Sequence, residues 1–201
     1  MNEQSRSPRG GLSEDFIAFM RQQMEASKQP PTKEVLMSMK PNLRTACIVG
    51  WVNQKLEAQG SASRRNHDKV LAALEPVTAR FYLAHCVEAE VANGGFGQVL
   101  GNDPWIAPHL EEAAEGFESL TLPRAALAVR KLAKAVQRRR VRPGRPAASS
   151  PVVAPRTCAA LDREFMGLGW CFERERAAFI RRHAGDFLPR DAGQTSSRQE
   201  S

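Results

Sequence analysis

Between Phe81 and Ala92 the chain is apolar on nearly every side of a helix, with Phe81, Leu83, Ala84, Cys86, Val87 and Val91, and it then runs into Asn93-Gly94-Gly95-Phe96-Gly97-Gln98. A helix without a broad polar face has to be enclosed by other elements. The segment therefore predicts a central, buried helix around which everything else is assembled. Pro76 suits its first position, where the missing N–H costs nothing. The two glycines predict its end. With Gly95 in the left-handed position just beyond the helix, Val91 and Phe96 fall where a Schellman ending makes its hydrophobic contact. Gln98 is then near enough to hydrogen-bond a freed carbonyl. This ending requires positive φ at one glycine, so Gly95→Ala is expected to cost more than helix propensity alone.

The remaining apolar periodicity is helical and no segment alternates as a strand does, so the predicted class is all-α: an irregular multi-helix bundle around the central helix. Ser13 caps a helix to about residue 27, with Phe16, Ile17, Phe19, Met20 and Met24 on it, and Pro30-Pro31 breaks the chain. Thr32 caps a short helix through Met39, which Pro41 ends. Asn42 caps the next, closed by Gly60. Residues 61–68 read as a polar connection before a short helix begun by Val70, Leu71 and Leu74. Asp103-Pro104 opens a helix through Phe117, and Thr121 with Pro123 opens another ending near Val136. A last helix carries Leu161, Phe165, Leu168, Phe172, Phe179 and Ile180, with Gly167 and Gly169 as break points. The expected organisation is a disordered tail at 1–12, a helical extension at 13–41, and a helical domain at 42–188. A basic, Pro-rich linker at 137–157 interrupts that domain, and a second disordered tail occupies 189–201.

No stretch approaches the ~20 apolar residues that span a bilayer, and the N-terminus lacks the apolar run of a signal peptide. The expected location is cytoplasmic, without membrane contact. Cys47, Cys86, Cys158 and Cys171 contain no close pair, which predicts free thiols rather than disulfides or zinc ligands. No metal site and no cofactor is expected.

The net charge of +7 conceals a segregation. Residues 81–123 hold no Lys or Arg but seven acids: Glu88, Glu90, Asp103, Glu111, Glu112, Glu115 and Glu118. Residues 124–145 hold nine bases and no acid, among them Arg138, Arg139, Arg140, Arg142 and Arg145. Each block suggests its own class of partner. Glu111, Glu115 and Glu118 share a helical face that suits a basic protein, although a solvated face looks the same. The arginines suit nucleic acid phosphates, although no aromatic residue accompanies them for base stacking.

Around the glycines Glu90, Asn93, Gln98 and Asn102 form a polar group, but no G-x-x-x-x-G-K and no nearby base supports phosphate binding. Glu88 and Glu90, with His85 one turn before Glu88, are the best candidates for acid–base chemistry. With no nucleophile or metal ligand beside them, an ion pair with Arg80 or Arg44 is the plainer expectation. No catalytic residue is assigned.

The run Glu90-Val91-x-Asn93-Gly94-Gly95-Phe96-x-Gln98-x-x-x-Asn102 resembles the signature of a bacterial domain family typified by the C-terminal domain of a DNA mimic protein. Ala92 and Val99-Leu100 depart from its usual residues. The similarity extends over roughly residues 43–188, including Leu161-Asp162-x-x-Phe165. The resemblance implies an all-helical, non-enzymatic domain that binds proteins, with DNA-binding proteins as the class of partner, and a structural role for the motif residues. A charge of +7 has the wrong sign for mimicry by the whole surface. The alternative is a nucleic-acid-associated protein using the Arg-rich 124–145 segment.

Overall fold

The computed structural model describes residues 13–60, 64–101, 105–140, 153–169 and 171–187, and these contain nine α-helices, one 3-10 turn and no strand. The helices are α1 (Glu14–Ser27), α2 (Lys33–Ser38), α3 (Pro41–Ala58), α4 (Arg64–Ala73) and α5 (Pro76–Gly101). After a 3-10 turn at Ala107–His109 come α6 (Leu110–Ser119), α7 (Pro123–Arg140), α8 (Pro155–Met166) and α9 (Cys171–Arg182).

Ser13 and Thr32 act as the expected caps, whereas the Thr121 hydroxyl donates to Glu175 Oε2 at 2.9 Å. Ser13 Oγ accepts from Phe16 N–H at 3.2 Å and Thr32 Oγ1 from Val35 N–H at 3.3 Å. Elsewhere the boundaries move. Pro41 does not end α2 but opens α3, with Lys40 rather than Asn42 at the cap. Residues 64–68, expected to be a connection, already belong to α4. The helix expected from Asp103-Pro104 begins only at Leu110, behind the 3-10 turn.

The 137–157 segment loses both its ends to helices. α7 continues through Arg140 and α8 starts at Pro155, with proline at the position that tolerates it. Ala125, Ala126, Ala128, Val129, Leu132, Ala133 and Val136 bury one side of α7, and that packing carries the helix past its apolar part. The tails at 1–12 and 189–201, and linker residues 141–152, lie outside the described residues.

α5 is the axis, as its composition requires. Phe81, Leu83, Ala84, Val87, Val91, Phe96 and Val99 are all buried. α6 and α8 pack on α5, α7 closes against α6 and α8, while α3 carries α1 and meets α9. Two aromatic groups tie the C-terminal helices to this axis. Phe165 stacks on Phe172 at 5.0 Å between ring centroids and meets Phe96 and Phe117 edge-on at 5.4 and 5.5 Å. Phe187 meets Phe81 edge-on at 5.4 Å, beside Phe179. The four cysteines are free, with Cys47 and Cys158 buried. Burial pushes the Cys47 thiol up to about 11. Among the described residues no helix is long and apolar enough to cross a membrane.

The α5–α6 crossing is close enough that a Cβ on Gly116 would collide with the Arg80 carbonyl and lie 3.0 Å from the Ala84 Cβ. Alanine raises helix propensity by about 1 kcal/mol over glycine, yet forcing a methyl into packed backbone costs about 1–3 kcal/mol. Gly116→Ala is therefore expected to lower the urea midpoint, against its propensity gain.

Candidate functional site

The Gly-Gly pair breaks α5 but does not end it. The first segment stops at Asn93-Gly94, and helix resumes from Phe96 to Gly101. Gly95 has the positive φ that the sequence requires, at +79°, but its ψ of −177° is not that of a Schellman ending. This combination is accessible almost only to glycine. Phe96 is thus not the residue that closes a helix but the one that opens the next. Its N–H donates to Asp162 Oδ1 at 2.7 Å.

The reason is local and electrostatic. A break inside a helix creates a new N-terminus with free N–H groups and the positive end of a dipole, and the buried Phe96 stands at that start. A carboxylate answers both needs. Asp162 projects from α8, and its carboxylate atoms lie only 2.7–2.8 Å from where a Gly95 Cβ would stand. Phe165, three residues on from Asp162, packs its ring on Phe96. Leu161-Asp162-x-x-Phe165 and Gly95-Phe96 therefore form one lock. Sequence reasoning noted the first only as part of a resemblance. The i, i+3 spacing of Asp162 and Phe165, which places a polar and an aromatic group on one helix face, was the signal available.

Among the other motif residues, Gln98 lies against the joint. The Gln98 side chain lies over Gly94, in contact with the place of its missing Cβ. Asn93 is exposed, and Glu90 is partly buried with Oε2 enclosed and without a hydrogen bond. Asn102 lies outside the described residues.

His85 and Glu88 face α9 rather than a cleft. Glu88 pairs with Arg176, not with Arg80 or Arg44, and only 20% and 14% of these side chains are exposed. Arg44 instead donates from Nε to the Met39 carbonyl at 3.2 Å. Burial raises the Glu88 carboxyl, opposed by the attraction and hydrogen bond of Arg176. Burial, helped by the Arg176 charge, lowers His85 to about 4, so its imidazole is neutral near pH 7. Its Nδ1 and Arg176 Nε are enclosed without hydrogen-bond partners. The Glu88–Arg176 pair pins α9 to α5.

The structure brings bases to the acid-rich stretch from outside it. Arg80 Nε reaches Glu115 at 2.9 Å. Arg130 binds both oxygens of Glu118, with Nη2 to Oε2 at 2.8 Å, and its Nε lies 3.6 Å from Glu111. The hydrogen bond from Arg130 holds the Glu118 carboxyl below its usual range. Glu112 faces His109 at 3.4 Å, whose other nitrogen meets Asp68 at 2.9 Å. Of the five arginines noted in the basic block, Arg138 is exposed on α7, while Arg139 and Arg140 close that helix. Arg142 and Arg145 lie outside the described residues.

Two outcomes are expected. Asp162→Ala should cost about 1–2 kcal/mol in chemical denaturation, the worth of a good cap. Gly95→Ala should cost at least as much, and the double variant less than the sum, because the new Cβ and the carboxylate compete for one space. The second outcome concerns acid. The unfolded His85 protonates near its ordinary 6.5 but the folded one only near 4, so the unfolded state takes the proton first. Its contribution is complete above about 6.5 and lost as pH falls toward 4, a difference of about 3 kcal/mol. Glu88, whose carboxyl is raised, acts in the opposite sense as pH climbs through its own titration. Urea midpoints at pH 7.5 and 4.5 should converge in His85→Leu relative to the unaltered chain.

Against known proteins, a family model described as DMP19-like protein matches residues 72–183, more than half of the chain. No curated protein and no solved structure matches it. The matched span holds the Gly-Gly joint, its Asp162 cap, the Glu88–Arg176 pair and the α6 carboxylates, and it leaves out α1 to α3. The chain belongs to the DMP19-like protein family.

Proposed function

We infer that the chain is a non-enzymatic protein-binding domain that acts in the cytoplasm and presents the α6 carboxylates to a basic protein, with DNA-binding proteins as the class of partner. One observation carries this reading. Glu111, Glu115 and Glu118 remain about half exposed within their ion pairs, at 47%, 46% and 48%. Arg80 and Arg130 hold them in a fixed row without cancelling them. Three carboxylates face two guanidiniums, which leaves one negative charge on the row. Exposed pairs of this kind are individually weak, so a partner's bases can exchange for the internal arginines at low cost. Family membership supports binding over catalysis. So does the commitment of Glu88 to its pair with Arg176 of α9. The motif residues serve the joint, and the free thiols suit a reducing compartment.

Affinity capture from the native cell, with nuclease added, tests the reading. Glu111→Gln, Glu115→Gln and Glu118→Gln together keep hydrogen-bonding capacity and remove three charges. The triple variant should recover the partner about tenfold less well, mainly through slower association. Undiminished capture by a triple variant with unchanged circular dichroism rejects the α6 row as the binding face.

A further inference from the structure

We propose that the outer face of α7 is a nucleic acid phosphate-binding surface, a second binding activity separate from the α6 row. Arg124, Lys131, Lys134 and Arg138, with Leu127 among them, are all exposed. At helical spacing they fall within an arc of about 80° and run about 21 Å along the axis. Every carboxylate discussed on α6 has a partner, whereas among the described residues Arg124, Lys134 and Arg138 have no acid bound to them. Lys131 alone in the stripe is engaged, by Glu164 of α8 at 2.7 Å. Arg130 marks the seam, turned to the α6 acids on the other side.

The chemistry of the stripe selects the partner. A protein interface needs an apolar centre and hydrogen-bonding groups of both kinds, and this face offers four cations and a single leucine. A polyanion with regularly spaced charge needs only the cations. The stripe has no aromatic side chain for stacking, so recognition is of the backbone, independent of sequence, and stronger for duplex than for single strands. The chain continues directly from it into Arg139, Arg140, Arg142 and Arg145.

Fluorescence anisotropy with a labelled 20-base-pair duplex of arbitrary sequence, titrated with the full chain between 50 and 200 mM salt, tests this. The three unpaired bases give a logarithmic salt slope of about −2.7, roughly a 40-fold loss of affinity across that range. Lys134→Ala with Arg138→Ala should bring the slope to about −0.9 and the loss to roughly 3-fold. Glu164→Gln, which releases Lys131, should tighten binding several-fold and steepen the slope. Arg21→Ala with Lys33→Ala, exposed bases on α1 and α2, should change neither. Absence of binding at 50 mM salt overturns the proposal, as does a slope that the stripe variants leave alone. Binding lost only when Arg139, Arg140, Arg142 and Arg145 are replaced also overturns it, and assigns the activity to the linker. Low-salt self-association abolished by the stripe variants, without duplex binding, overturns it in favour of the α6 row of a second copy.

Discussion

The hydrogen bond from Phe96 N–H to the Asp162 carboxylate sits where the fold has least freedom. A helix as apolar as the first part of α5 has to be buried, and a break in it leaves N–H groups at the second helix start, that of the buried Phe96 among them, in need of acceptors. Asp162 supplies the missing acceptor and a negative charge at the new helix start. It can approach because Gly95 has no Cβ. Once the carboxylate is seated, Phe165 is carried onto Phe96, and Phe117 and Phe172 complete the aromatic group around it. The joint thus fixes the placement of α8 relative to α5, and it forms only after residues 66 positions apart have met.

Charge is organised in two layers. Along the chain the acids of 81–123 and the bases of 124–145 are separate blocks. In space Arg80 and Arg130 stand at the edges of the acid row and tie α5, α6 and α7 together. What is left over is asymmetric. The α6 row keeps a modest negative excess, while the outer face of α7 keeps bases with no acid bound to them. Negative charge is therefore displayed on α6 and positive charge on the next helix.

The α-helical class, the central position of α5, the caps at Ser13 and Thr32 and the break between α8 and α9 were legible because each depends on residues within a turn of one another. The positive φ of Gly95 was legible for the same reason. Its ψ was not, because a carboxylate from α8 sets it. The ends of α7 and α8 were misread as linker because Arg138–Arg140 and Pro155–Thr157 carry no apolar pattern of their own. Packing of the adjoining turns holds them helical. The partner of Glu88 was misassigned to nearby arginines, when Arg176 comes from a helix 88 positions away.

By itself, then, the sequence determined that this protein is helical, that α5 lies at its centre, that a glycine joint interrupts it, and that opposite charges lie on successive helices. Those properties follow from side-chain periodicity and backbone sterics, which act over a few residues. Tertiary structure alone decided that the joint continues the helix under an aspartate cap, that Glu88 pairs with Arg176 of α9, and which charges among the described residues are paired. Each of these depends on groups far apart in the chain. Burial and electrostatic energies reward such groups only when the fold has brought them within a few ångströms.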